Sequence, residues 1–138
     1  MAKIDLILPI QNAIITSNIG YITNYKGAIM LKSILGSENA ERVLIFIAAR
    51  DEGYATEIAN FFETSLFGIQ SQLERLETGN VLVNQTVGRT RVYTLNPAYP
   101  FVNELKSLLT KALEFYPEEV REKLLFNRRR PRRRGKPL

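Results

Sequence analysis

The chain has 138 residues, 45% of them hydrophobic and 24% charged, the balance of an ordinary globular protein with one modest core. It carries neither cysteine nor histidine, which removes disulfides, thiolate or imidazole metal sites, cysteine proteases and Ser-His-Asp hydrolases. Its formal net charge of +5 is unevenly placed: six Arg, one Lys and no acid lie in 127–138, which leaves 12 basic against 14 acidic residues, a net −2, in the rest.

Residues 1–30 form an extension with weak signals. Ile4, Leu6 and Leu8 follow a strand-like alternation that Pro9 interrupts, so an edge strand or extended arm is expected. Lys3, Asp5 and Pro9 stand where a secretory leader would be apolar, and the longest apolar run, Val43–Ala49, is too short for a bilayer. A cytoplasmic chain with no membrane partner is expected.

Leu31–Leu35 reads as one apolar helical turn ending at Gly36. "SENAERVLIFIAAR" then starts a helix. Ser37 or Asn39 caps it, Val43, Leu44, Phe46 and Ile47 supply its buried stripe, and Asp51-Glu52-Gly53 ends it. A further helix places Ala55, Ile58, Ala59 and Phe62 at helical spacing, and Glu63-Thr64-Ser65 breaks it. In the helix that follows, Leu66, Ile69, Leu73 and Leu76 share one face, and Gly79 is the expected C′ residue. Tyr54, Phe61, Phe62 and Phe67 are read as core, with a ligand pocket as the alternative.

"NVLVNQTV" and "TRVYTL" read as two strands joined at Gly88, and Asn96-Pro97 stops the second. Pro100 opens a long helix whose stripe of Phe101, Leu105, Leu108, Leu109, Ala112 and Leu113 is broad enough to predict a dimer interface, with internal packing as the alternative. A short helix in "PEEVREKLLF" precedes the arginine-rich end.

Two helices joined by a short break, followed by a basic hairpin, describe a helix-turn-helix with a wing. The fold class expected is mainly α with a small β-hairpin wing and a C-terminal dimerisation helix. In such an arrangement the second helix enters the DNA major groove and the hairpin tip lies on the backbone or minor groove.

The segment "TEIANFFETSLFGIQSQLERLETGNVLVNQTVGRTRVYTLNP" resembles the winged helix-turn-helix of ArsR- and MarR-like transcriptional regulators. The likeness rests on "EIA" at 57–59, "QLERLETGNVL" at 72–82 and "GRTRVYTLNP" at 88–97, within about 31–116. Outside the likeness the residues read as an arm or extension in 1–30 and a basic tail in 127–138, and the likeness implies a DNA-binding domain in 31–100 and dimerising helices in 101–126. It also implies a recognition helix over Ser65–Glu77. There Thr64, Phe67, Gly68, Ser71 and Arg75 lie opposite the core stripe, with Ser65, Gln70 and Gln72 beside them. Gln bonds adenine edges, Ser contacts bases or phosphates, and Arg pairs with guanine or phosphate. Arg89, Thr90 and Arg91 would form the wing contacts.

This chain departs from the family in lacking the cysteine and histidine of its metal sensors, so no metal or cofactor is expected. Glu74 and Glu77 would repel phosphate if they faced it, and Phe67 is unusually apolar for a groove face.

The tail residues Arg128, Arg129, Arg130, Arg132, Arg133, Arg134 and Lys136 are expected to form a phosphate-binding arm, with a merely solvated end as the alternative. If all seven engage duplex phosphates, the salt dependence steepens by about six units of log K per log salt. "RGKP" at 134–137 is weakly similar to the core of AT-hooks, with lysine in place of the second arginine.

The expected function is a non-enzymatic, nucleoid-associated regulator, a repressor in the first instance, that binds double-stranded DNA as a homodimer and occludes or recruits at a promoter; the effector and the direction of regulation are left unassigned. The alternatives are a protein-interaction module in an antitoxin-like pair and an RNA-binding protein led by the tail.

Overall fold

The computed structural model describes residues 29–126. The expected N-terminal arm, up to residue 28, and the whole basic tail lie outside the described residues. The described chain is mainly helical with one two-stranded antiparallel hairpin. In order it runs α1 (Lys32–Leu35), α2 (Glu38–Arg50), α3 (Ala55–Phe62), α4 (Leu66–Thr78), β1 (Leu82–Val87), β2 (Thr90–Leu95), α5 (Val102–Leu113) and α6 (Glu118–Phe126). Among the described residues no helix is long and apolar enough to cross a membrane.

Helix α2 is the central element. Val43, Leu44, Ile45, Phe46 and Ile47 are all buried, so its apolar surface runs nearly all the way round, the pattern of a helix enclosed on every side. It packs against all five other helices and against β2. Its start is fixed locally: the Ser37 Oγ accepts from the Ala40 amide at 2.9 Å. Asp51, with a φ of 75°, turns the chain out of the helix.

Three buried charges sit on α2: Arg42 pairs locally with Asn39 and Glu38, and the other two reach distant segments. The Glu41 carboxylate accepts from the Leu31 amide at 2.6 Å, the Met30 amide at 3.3 Å and the Tyr116 hydroxyl at 2.8 Å. It thereby joins the start of the described chain to the turn after α5. Arg50 donates from Nε to the Leu124 carbonyl and from Nη2 to the Lys123 carbonyl, both at 3.0 Å. Its guanidinium also lies 4.6 Å from the centre of the Phe46 ring. A cation on the last carbonyls of α6 meets both the open hydrogen bonds and the negative end of the helix dipole.

Helices α3 and α4 form the expected pair. Glu63, in the left-handed region at φ 53°, ends α3, and Ser65 caps α4 by accepting from the Gly68 amide at 3.1 Å. Ile69, Leu73 and Leu76 are buried as the spacing predicts; Leu66, placed on the same stripe, is 41% exposed because it opens the helix beyond the edge of the core. The expected C′ glycine is also corrected. Gly79 has φ −82°, and Asn80 at φ 65° takes the left-handed position. Asn80 and Val81 donate back to the Glu77 and Leu76 carbonyls, which completes a Schellman ending.

The hairpin pairs Leu82 with Leu95 through to Val87 with Thr90. Gly88 and Arg89 are thus a two-residue turn with positive φ at its first position, the arrangement of a type II′ turn. Tyr93 is buried at the base of the hairpin and exchanges both backbone hydrogen bonds with Gly53, at 2.8 and 3.0 Å. This bridge ties the hairpin to the loop between α2 and α3. A side chain at 53 would meet the Phe46 ring at 2.9 Å, so glycine is what lets the backbones approach.

The stripe of α5 divides in two. Leu109 and Ala112 lie in the chain's own core, which corrects their assignment to a dimer interface, and Leu105 and Leu113 pack half-buried against that core. Phe101 and Leu108 remain exposed. A periodic apolar stripe reports that burial occurs, not which partner provides it.

Candidate nucleic-acid interface

Helix α4 turns three different sides to its surroundings. Ile69, Leu73 and Leu76 face the core. A second side packs along α1 and the start of α2. At Gly68 an added Cβ would stand 2.5 Å from the Asn39 side-chain nitrogen, so this glycine permits a close approach within the chain, not toward an outside ligand. Half-buried Gln72 accepts from Arg75 Nε at 2.8 Å, and Arg75 Nη2 donates to the Leu35 carbonyl at 2.9 Å. Arg75 therefore closes the end of α1. The expectation that Gly68, Gln72 and Arg75 belong to an outward reading face gives way to this intramolecular packing.

The third side is open. Phe67, Gln70, Ser71 and Glu74 are exposed along it, while Ser65 at its head spends its hydroxyl on the cap and Thr64 is half-buried in the break. The wheel that places Thr64, Phe67, Ser71 and Arg75 together is rotated toward Glu74 in the folded chain. The neighbours that set this rotation, Asn39 and Leu35, are distant in sequence.

Beside this open side lies a cleft of about 530 Å³ between α4, the start of α3 and the hairpin. Gln70 and Glu74 form one wall, Arg89, Thr90 and Arg91 the other, and Tyr54, Thr56 and Tyr93 close the end. Two cations thus face one carboxylate across a groove.

The two arginines differ. Arg91, opposite Thr86 on the hairpin, donates to the Tyr93 hydroxyl at 3.4 Å. That hydrogen bond, reinforced by the charges of Glu77 and Glu74, holds its guanidinium above its ordinary value. Arg89 sits in the turn itself, with no hydrogen bond or ion pair to another described residue. Glu77 is taken up by the Asn84 amide, which links α4 to β1, so only Glu74 of the two acids fronts the cleft.

The aromatic residues do not gather in one cavity. Phe62 is in the core, Phe61 packs edge-on against Phe46 and Phe62, Tyr54 lines the cleft and Phe67 points out. Thr56 and Tyr93 are lining residues that sequence reasoning did not single out, whereas Tyr54 was read as core with a ligand pocket as the alternative. The signal for Tyr93 was its place on β2 just beyond the basic turn; Thr56 carries none, because only the Gly53 bridge brings the head of α3 beside the hairpin.

No family model, no curated protein and no solved structure matches the chain.

Proposed function

We propose that this protein is a winged helix-turn-helix DNA-binding regulator that engages duplex DNA as a homodimer, with α4 as recognition helix and the hairpin as wing. The observation that carries the reading is the open side of α4 standing beside a hairpin whose turn projects the uncommitted cation Arg89. Helix α4 has 13 residues and is therefore about 20 Å long, and a helix of that kind fits the B-DNA major groove, about 12 Å wide.

In this reading Gln70 and Ser71 supply hydrogen bonds to base edges, and Arg89 and Thr90 hold phosphate oxygens. Arg91 contributes charge but stays on Tyr93. The head of α3, which no side chain caps, opens onto the same cleft and adds the positive end of a helix dipole. The basic tail adds phosphate contacts that carry no sequence information. Exposed Phe101 and Leu108 supply the dimer contact in place of the full α5 stripe. The dimer acts by occupying a promoter in the cytoplasm, and no catalysis is involved.

Selection from random duplexes followed by footprinting tests this. A recovered palindrome with half-sites one helical turn apart, about 34 Å, is expected. Failure to enrich any duplex sequence at moderate salt, or enrichment of structured RNA in competition, would count against it.

A further inference from the structure

The ring of Phe67 stands out from the surface of α4. Of the large hydrophobic side chains in the described residues it is the most exposed, at 79%. Unlike Phe46, Phe61 and Phe62, it has no ring partner there. It sits in the first turn of α4, one turn before Gln70 and Ser71, and the residues on its other flank, Gly68 and Arg75, are turned to the chain's own interior contacts.

The outward head of α4 therefore presents one apolar ring and two hydrogen-bonding groups, with no cation among them. That set has a specific complement. In the major groove the C5-methyl of thymine is the only apolar group among the base edges, and its partner adenine offers the N6 donor and N7 acceptor that a glutamine side chain bonds bidentately. Residues three apart on a helix are surface neighbours, about 5–6 Å between Cβ atoms, so Phe67 and Gln70 can address one base pair or two adjacent ones.

Resting on the DNA-binding reading above, we propose that Phe67 is a specificity-determining residue that packs on a thymine methyl while Gln70 bonds the adjoining adenine edge. The preferred half-site contains an A·T pair opposite the head of α4. Discrimination at that pair comes partly from burial of a single methyl group.

The test uses the full chain and a duplex recovered by random selection. Each thymine is replaced in turn by 2′-deoxyuridine, which removes the methyl and leaves the base-pairing edge intact. Affinity is measured for the unmodified protein, Phe67→Ala and Phe67→Leu. At one thymine per half-site the unmodified protein is expected to lose about four-fold, the value of one buried methyl-sized group. Phe67→Ala should lose this sensitivity and Phe67→Leu should keep much of it. A bound duplex indifferent to uridine at every thymine overturns the proposal and leaves the DNA-binding reading intact. Persistence of the uridine penalty in Phe67→Ala also overturns it, because another side chain then meets the methyl. A chain that selects no duplex at all takes down the underlying reading as well.

Discussion

Gly53 stands where two backbones and an aromatic ring converge, 2.9 Å from a Phe46 ring carbon if a Cβ is added. Gly53→Ala should destabilise the protein by about 1–3 kcal/mol, the usual cost of overpacking a filled core, as read by urea denaturation. Arg75 illustrates the opposite case, an exposed side chain with two internal partners, Gln72 and the Leu35 carbonyl. Arg75→Ala should lower stability by about 1 kcal/mol and leave the preference for matched over mismatched duplexes unchanged, in place of the base-selective loss that a groove contact would produce. Competition with matched and mismatched duplexes distinguishes the two. Tyr116 is buried and donates to the Glu41 carboxylate; burial above all, and then the charge of Glu41, pushes its hydroxyl well above the ordinary value near 10. A value raised on folding means that the contribution is intact below about pH 10 and is lost as the pH rises further, because only the unfolded chain gains from ionising. Thermal midpoints between pH 8 and 11 should fall more steeply for the wild type than for Tyr116→Phe.

At the level of elements, the hairpin is held through both of its strands at one level, where Asn84 faces Tyr93. The Gly53–Tyr93 bridge holds its base against the start of α3, and the Asn84–Glu77 contact holds β1 against α4. The tip therefore projects at a defined place relative to the open side of α4, although Gly88 and Arg89 have few neighbours themselves. That separation of a braced stem from an unbraced cation leads to a prediction. Arg89→Ala should leave the unfolding transition unchanged and reduce the slope of log K against log salt by about 0.9, one phosphate's worth of released counterions. Equal salt slopes for the two proteins would remove Arg89 from the interface.

Across the whole molecule the charge is divided between a near-neutral body and a strongly cationic terminus. The open side of α4 carries Glu74 and no untethered arginine, so in the proposed complex little of the affinity would come from that helix. There electrostatic attraction would fall to Arg89 and to the seven cations of the tail, and selectivity to uncharged groups on α4. Deleting residues 128–138 should lower affinity for all duplexes together and flatten the salt slope by up to about six units, with base preferences unchanged. Fluorescence anisotropy at 50 and 200 mM salt with specific and random duplexes reads both effects; an altered base preference would assign sequence reading to the tail.

The order of elements was legible from local patterns alone. The cap at Ser37, one of two the sequence offers, the turn at Gly88, the stop at Asn96-Pro97 and the 3.6-residue spacing of Ile69, Leu73 and Leu76 each act over a few residues, so composition and spacing suffice to read them. Cationic residues at the hairpin turn were legible for the same reason. What α4 turns outward was not. Gly68 faces inward because Asn39 lies against it, Arg75 is tied because the Leu35 carbonyl is within reach, and Leu109 and Ala112 are enclosed because α2 packs on α5. Each of these contacts joins residues some thirty or more apart in the chain. Periodicity locates a face and a motif locates a turn, but only the packing of distant segments decides which face is covered and which is left for a partner.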